Sequence, residues 1–322
     1  MTTYDTIFIV NPASKRGSVL AKKLNLPDWI KQHQLSASVF FTEGPGHGIQ
    51  LAKQFTEAGV KKIIVVGGDG TVSEIVHGIF TAEVTERPSL GVLAAGTGSD
   101  FARMIKSQWG LGEGSDWLLH TRSQTIDVGK LVLTDQAGKN PRERYFINIA
   151  DIGLGAEVAR GVNESKKAFG KLSYLVVLIK SFFTYSALKV KITFADQSFS
   201  DRLTALVVAN GAYFGGGMKI APEASLNDGQ LDLVYIKRLS FWSVLTQAPL
   251  EMRQVFKGER MKKIPVLYKK IRQLQVESLE DRPLCLDIDG ETDSVHQVQF
   301  EIIPQALELL VPASNVILKP AG

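Results

Sequence analysis

Along the first third of the chain, short apolar runs alternate with segments whose apolar residues recur every three to four positions. The runs at 6–10, 37–41, 61–66 and 90–95 predict strands, and 17–24, 47–58, 71–80, 100–105 and 114–120 predict helices. In the helix from Thr71 to Phe80, for example, Ile75, Val76, Ile79 and Phe80 share one face. Such a rhythm predicts an α/β domain whose parallel sheet is covered by helices on both faces. From Asp127 onward strand follows strand, at 127–133, 144–151, 188–194, 202–209, 231–236, 264–276 and 284–288, which predicts a mostly antiparallel β-sandwich. The change at Thr125–Val128 sets a domain boundary, with residues 1–126 before it and 127–310 after it.

Two helical segments interrupt the second half. Ser240–Lys257 predicts an amphipathic helix with Trp242, Leu245, Pro249, Met252 and Phe256 partly on one face. In Lys166–Tyr185, four lysines (Lys166, Lys167, Lys171 and Lys180) surround an apolar run. That pattern fits a core helix with a solvated basic face, or an interfacial element resting on anionic headgroups.

The loops after the strands carry the chemistry. Gly67-Gly68-Asp69-Gly70-Thr71 closes the third strand, where the glycines let the backbone approach a ligand and the following helix start favours an anion. Thr71 and Glu74 read as a capping box, which puts the helix start inside the motif. Gly96-Thr97-Gly98-Ser99-Asp100 closes the fourth strand, with Asp100 at or near a helix N-cap. Asn11-Pro12-Ala13-Ser14-Lys15-Arg16-Gly17 follows the first and adds a positive pair. Strand carboxyl ends of an open parallel sheet converge on one crevice. Three such loops there predict a site for a nucleotide or another polyphosphate. No G-x-x-x-x-G-K-[ST] run occurs, and the G-x-G pieces at Gly96/Gly98 and Gly153/Gly155 lack a third glycine, so neither a P-loop nor a dinucleotide fingerprint is present.

Composition narrows the setting. The 322 residues are 44% hydrophobic without a long biased tract, as a fully globular chain of two ordinary domains would be. The balance of 37 basic and 33 acidic residues gives a net charge of +4, which does not announce a nucleic-acid partner. A single cysteine, Cys285 in Leu284-Cys285-Leu286, fits a reducing compartment and reads as a buried thiol. The N-terminus lacks a secretory pattern, and Leu172–Phe183 is too short to span a bilayer. The expected location is cytoplasmic, peripheral to a membrane at most.

Asn11-Pro12, the Gly67–Thr71 turn and Gly96-Thr97-Gly98-Ser99-Asp100-Phe101-Ala102-Arg103 together resemble the diacylglycerol kinase catalytic-domain family, in its soluble bacterial branch of lipid kinases. The likeness continues through Asp127-Val128-Gly129, Asn148–Gly155, Pro222–Gly229 and Asp287-Ile288-Asp289-Gly290-Glu291, in order along nearly the whole chain. Ser99 stands where that family commonly has Asn. The resemblance implies an ATP-dependent, Mg²⁺-requiring lipid kinase with its active site in the interdomain cleft, and residues 311–322 returning to the first domain. Asn11, Ser14, Lys15, Thr42, Gly67, Gly68, Asp69, Gly70, Thr71, Ser73 and Thr97 would line the nucleotide, with Asp69, Asp100 and Asp127 around its Mg²⁺. Asp228 and the carbonyls of Ser225 and Gln230 would hold a second, structural Mg²⁺. A mobile glycine-rich loop, Tyr213–Lys219, would meet the lipid headgroup.

The base is expected in Asp287–Glu291. On an extended strand Asp287 and Asp289 point to one face, and the Gly290 turn projects Glu291. Neighbouring carboxylates raise one another's proton affinity. Glu291 is assigned as base, assisted by Asp289, the family's proton acceptor falling on Glu291. Diacylglycerol leads as acceptor, then phosphatidylglycerol and long-chain bases. An NAD kinase, which shares the Gly-Gly-Asp-Gly-Thr turn, and a catalytically silent nucleotide-gated lipid-binding protein are the alternatives. The expected partner is a lipid at a membrane surface and no nucleic acid; a homodimer is left open.

Overall fold

The computed structural model describes residues 4–14, 26–96, 99–105, 118–136, 138, 141–164, 185–195, 197–239 and 241–313. The helix expected at 17–24, that expected at 166–185 except Tyr185, and most of that at 114–120 lie outside these residues.

The first domain alternates β1 (Thr6–Val10), α1 (Leu26–Gln32), β2 (Ala37–Phe41), α2 (His47–Glu57), β3 (Lys62–Gly67), α3 (Asp69–Thr81), β4 (Ser89–Ala94) and the short α4 (Asp100–Met104). Strands β2, β1, β3 and β4 pair in that order, all parallel. Both faces of β1, β3 and β4 are buried, which is why they read as unbroken apolar runs rather than alternating ones, while β2 at the edge is only partly covered. Ile7, Ile9, Ile63 and Val65 pack under α2 and α3, whereas Phe8, Val10, Ile64 and Val66 pack against Leu26, Trp29 and Ile30 of α1.

The second half is built from β5 (Thr121–Thr134), β6 (Arg142–Phe146), β7 (Ile149–Gly153), β8 (Leu188–Phe194), β9 (Gln197–Ala209), β10 (Leu231–Lys237), β11 (Val266–Ile271), β12 (Gln273–Ser278), β13 (Leu284–Ile288), β14 (Glu291–Val295) and β15 (Gln297–Pro312). Within it the pairings are antiparallel, and its main core lies between layers that contribute Phe146, Ile152, Val190, Leu206, Leu233 and Phe300 among others. Three helices accompany the strands: α5 (Leu154–Glu164), α6 (Phe241–Thr246) and α7 (Ala248–Phe256).

Three expectations are corrected here. The single strand expected at 264–276 is two, β11 and β12, and that at 144–151 is likewise divided into β6 and β7. The helix expected over Ser240–Lys257 breaks at Gln247, because Pro249 belongs to the first turn of α7, where a missing N–H costs nothing.

Strands β5 and β15 join the halves. Val298 and Phe300 of β15, with Leu131 and Leu133 of β5, lie in the sandwich core. Leu307, Leu309 and Val311, with Ile126 and Val128, lie in the α/β core, and Leu309 pairs in parallel with Leu90 of β4. Between the two stretches the register slips from Ile303↔Val128 to Leu307↔Ile126, and Gln305 takes φ 49. A bulge of this kind bends the strands from one core into the other.

Candidate active site

Asp69 is the first residue of α3, and its carboxylate leaves its own helix to cap another. It accepts the N–H of Asp100 at 3.1 Å and of Phe101 at 3.0 Å, the first donors of α4. Gly68 and Gly96 come so close that a Cβ on Gly96 would lie 2.6 Å from Gly68 Cα. The two loops therefore pack backbone to backbone. Asn11 adds the third: its Nδ2 donates to Thr71 Oγ1 at 2.9 Å, its N–H donates to Val66 O, and Ser14 Oγ donates to Asn11 O at 2.8 Å. Thr42, buried, is held beside the first loop by its N–H on Val10 O. Ser73 is wholly buried, and its hydroxyl has no partner among the described residues. Lys15 and Thr97 lie outside the described residues.

The capping box is not formed. Helix α3 starts at Asp69, behind Gly68, with the Val72 N–H on Gly68 O. Glu74 is thus one turn into the helix and reaches sideways, where its two oxygens accept the N–H groups of Gly46 at 2.8 Å and Gly48 at 3.0 Å. It caps α2 instead. The N-cap of α3 is Gly68, which has no side chain to cap it, so among the described residues the first N–H groups and the dipole of α3 remain for an anion.

Asp100 ties in the glycine-rich loop that sequence reasoning reads as mobile. Its carboxylate accepts Gly216 N–H at 2.8 Å and pairs with Arg103. Phe214 and Met218 exchange two backbone hydrogen bonds of 3.0 Å, and Arg103 and Lys219 flank the Tyr213 ring. The loop is a docked turn. Burial pushes the Asp100 carboxyl up, opposed by the Gly216 N–H, with Asp69 adding to the rise.

Asp127 is held by other elements. Its oxygens accept Gln305 N–H at 2.8 Å and Gly229 N–H at 2.7 Å, so it fastens the β15 bulge to the 225–230 turn. Asn210, buried at the end of β9, donates from Nδ2 to the carbonyls of Asp127 at 3.0 Å and Ile147 at 2.8 Å. Asp69 reaches the start of the Asp100 helix, whereas the Asp127 hydrogen bonds run to the bulge and to the 225–230 turn.

The Asp289 geometry also differs from expectation. Strand β13 ends at Ile288, and Asp289 and Gly290, with φ 50 and 96, form the two-residue loop of a hairpin. An Asp-Gly pair suits positive φ at both positions. Asp289 therefore leaves the face of Asp287. Its carboxylate is buried and accepts three N–H groups: Ile147 at 2.8 Å, Asn148 at 3.2 Å and Ile149 at 2.8 Å. Burial pushes it up to about 7 against those bonds, with Asp69 contributing to the rise. Glu291 follows the turn, half-buried and paired with Arg144 of β6. Asp287 faces Asp151, its register partner on β7, and burial pushes Asp287 up to about 6.

Arg144 escapes sequence reasoning because β6 looks like an ordinary strand. It sits between Glu291 and His77 of α3, whose imidazole is lowered to about 4 by burial and then by the Arg144 charge. His77 is thus neutral at physiological pH. Cys285 is half-buried, its thiol pushed up to about 12 by burial, and inert. It borders a cavity of about 450 Å³ whose walls include Ile152, Leu188, Leu203 and Leu284, with Glu157 and Arg282.

The nucleotide ion fits best at Asp69, whose carboxylate accepts two N–H groups and pairs with no cation among the described residues, leaving acceptor sites for the waters of a hydrated Mg²⁺; Asp100, beside it, shares its charge with Arg103. At the 225–230 turn the fit fails. Asp228 Oδ2, the side-chain ligand expected there, already accepts the Lys270 ammonium at 2.7 Å, and Oδ1 accepts Gln230 N–H at 3.1 Å.

Comparison with known proteins places the chain. Residues 5–131 match the diacylglycerol kinase catalytic domain, and residues 148–311 match the YegS C-terminal NAD kinase beta sandwich-like domain. It is 30% identical over 290 residues to the "Probable lipid kinase YegS-like" of Chromohalobacter salexigens, covering 89% of this chain and 86% of that protein. It is 26% identical over 306 residues to the diacylglycerol kinase of Bacillus subtilis, covering 94% and 95%. The fold is shared with a crystal structure described as a diacylglycerol kinase from Bacillus anthracis, at 21% identity and a TM-score of 0.65, over 98% and 97% of the two chains. The chain belongs to the diacylglycerol kinase catalytic-domain family and is a lipid kinase.

Proposed function

We propose that the chain transfers the γ-phosphate of ATP to the hydroxyl of diacylglycerol, giving phosphatidic acid and ADP. The observation that supports this reading is the Glu291–Arg144 pair on the hairpin that Asp289 anchors to residues 147–149, with Asp69 of the first glycine loop close enough to act electrostatically on Asp289. In this reading residues 1–126 hold the nucleotide and residues 127–310 the lipid. The phosphates lie over the uncapped start of α3, beside Asn11, Thr71 and the Gly68–Gly96 contact. A Mg²⁺ ion at Asp69 and Asp100 would neutralise phosphate charge as it develops.

Glu291 takes the acceptor's proton as its oxygen bonds to the γ-phosphorus and the bond to the ADP oxygen breaks. Arg144 holds one carboxylate oxygen, which fixes the group's direction. Asp289 acts from behind, pinning the hairpin to residues 147–149.

The acceptor's chains have a place nearby. Gly153, Cys285 and Ser294, which border the cavity, sit two residues along their strands from Asp151, Asp287 and Thr292. That is a step of about 7 Å along the sheet, well within the length of an acyl chain. Trp242, 69% exposed, with Leu250 and Phe256, offers apolar surface to a bilayer.

The test is phosphate transfer from labelled ATP to diacylglycerol, phosphatidylglycerol, a long-chain base and NAD, in mixed micelles. Transfer to diacylglycerol is expected to dominate. Transfer to NAD, or to no acceptor at all, would overturn the reading.

A further inference from the structure

Lys270 of β11 reaches into the polar turn that precedes β10. Its ammonium lies 2.7 Å from Asp228 Oδ2, 2.8 Å from Asp232 Oδ2 and 3.4 Å from the Glu223 carbonyl. Three donors meet three oxygens. The arrangement is set by the sheet, since Lys270 is the register partner of Asp232 in the β10–β11 pair. The side chain is partly sheltered, and the Asp232 side chain is only 12% exposed.

This turn needs a positive charge. Asp127, Asp228 and Asp232 crowd it, Glu223 beside them being paired with Arg260, and Asp228 acts electrostatically on both Asp127 and Asp232. The turn also matters to the fold. Its Leu226 is buried in the α/β core, Leu226 O accepts the Asp127 N–H at 2.6 Å, and Gly229 N–H donates to Asp127. A repulsive loop here would loosen the contact between turn and bulge where the two cores meet.

A magnesium ion would answer that need with oxygens at about 2.0–2.1 Å in near-octahedral order. Here an ammonium already lies against the Asp228 carboxylate, and like charges so close would repel strongly. Lysine meets the same need differently. It is a compact cation carried by the chain, present at any ion concentration.

We propose that the Lys270 ammonium takes the place of a divalent cation at the 225–230 turn, so that the fold of this chain needs no structural magnesium. This goes beyond the lipid kinase reading and does not depend on which acceptor is phosphorylated.

The test uses the full chain without nucleotide, stripped with EDTA and titrated with Mg²⁺ or Mn²⁺, reading thermal unfolding and Mn²⁺ binding by electron paramagnetic resonance. The wild-type protein is expected to unfold at the same temperature in EDTA and in Mg²⁺. Lys270→Ala keeps both carboxylates and removes the cation. That variant is expected to melt lower in EDTA, to recover with Mg²⁺, and to bind one Mn²⁺ about tenfold or more tighter than wild type. The gain should vanish in Lys270→Ala combined with Asp228→Asn.

Wild-type binding of Mn²⁺ that is lost in Asp228→Asn would overturn the proposal. So would a folded Lys270→Ala protein indifferent to metal. If Lys270→Ala does not fold in either condition, the wild-type and Asp228→Asn titrations decide alone: equal Mn²⁺ binding supports the proposal and unequal binding overturns it.

Discussion

The carboxylate of Asp69, at the start of one helix, caps the helix that begins at Asp100. One side chain thereby fixes two glycine loops relative to each other, and the phosphate site depends on that spacing. Replacing Asp69 by Ala removes both acceptors and is expected to cost about 1–2 kcal/mol, as lost helix caps do. Asp69→Asn keeps one oxygen, and it should recover part of the stability while turnover stays lost. Urea denaturation and kinase assays on both variants separate the cap from the charge; an active Asp69→Asn enzyme would contradict the role given to the carboxylate.

Ser99 has φ 50 and ψ 45, a left-handed conformation, and its hydroxyl makes no cap bond. The resembled family's Asn tolerates that conformation better than serine does. The meaning of the departure is therefore conformational, since Asp69 supplies the capping oxygen. Ser99→Asn is expected to stabilise the protein by a few tenths of a kcal/mol, up to about 1 kcal/mol. A denaturation midpoint that does not rise would contradict this.

Burial, with Asp69 adding to it, raises the Asp289 carboxyl to about 7 from an ordinary 3.8, against three N–H bonds. The folded chain then keeps a proton that the unfolded chain has released. The sign follows: this group's contribution is fully present below about pH 4, and it declines as pH rises toward 7, by up to about 1.4 kcal/mol per unit. Asp289→Asn abolishes the titration. Its amide cannot accept the Ile147 N–H, which costs about 1–3 kcal/mol at low pH. The stability gap between wild type and variant should narrow with rising pH. A gap that widens would refute the assignment.

Glu291→Gln keeps the shape of the hairpin and a neutral contact to Arg144 but cannot take a proton at neutral pH. Turnover on lipid is expected to fall at least about a hundredfold, the usual range for a lost general base. Nucleotide affinity, read by titration calorimetry, should change little. Full activity would move the base elsewhere.

How much of this was legible beforehand depended on the range of the interaction. The Lys62–Gly67 strand, the helix after it and the loops at Asn11, Gly67 and Gly96 follow from hydrophobic period and glycine placement, both local in the chain. The period also changes near Asp127, where one strand, Thr121–Thr134, runs through the expected boundary and serves both cores. What the pattern could not show is where a polar side chain goes once several acceptors compete for it. Glu74 has a cap within three residues and takes one 28 residues away; Asp289 leaves the strand face because Gly290 makes a turn more favourable.

The sequence by itself determined the strands of the first domain, the glycine loops and the family, since each is written in neighbouring residues. Only the tertiary structure decided which carboxylates face which donors: Asp69 toward Asp100, Asp127 toward the bulge, Glu291 toward Arg144 and Asp228 toward Lys270. The reason is physical. A buried carboxylate must find donors, and the fold, not the spacing along the chain, determines which ones are within reach.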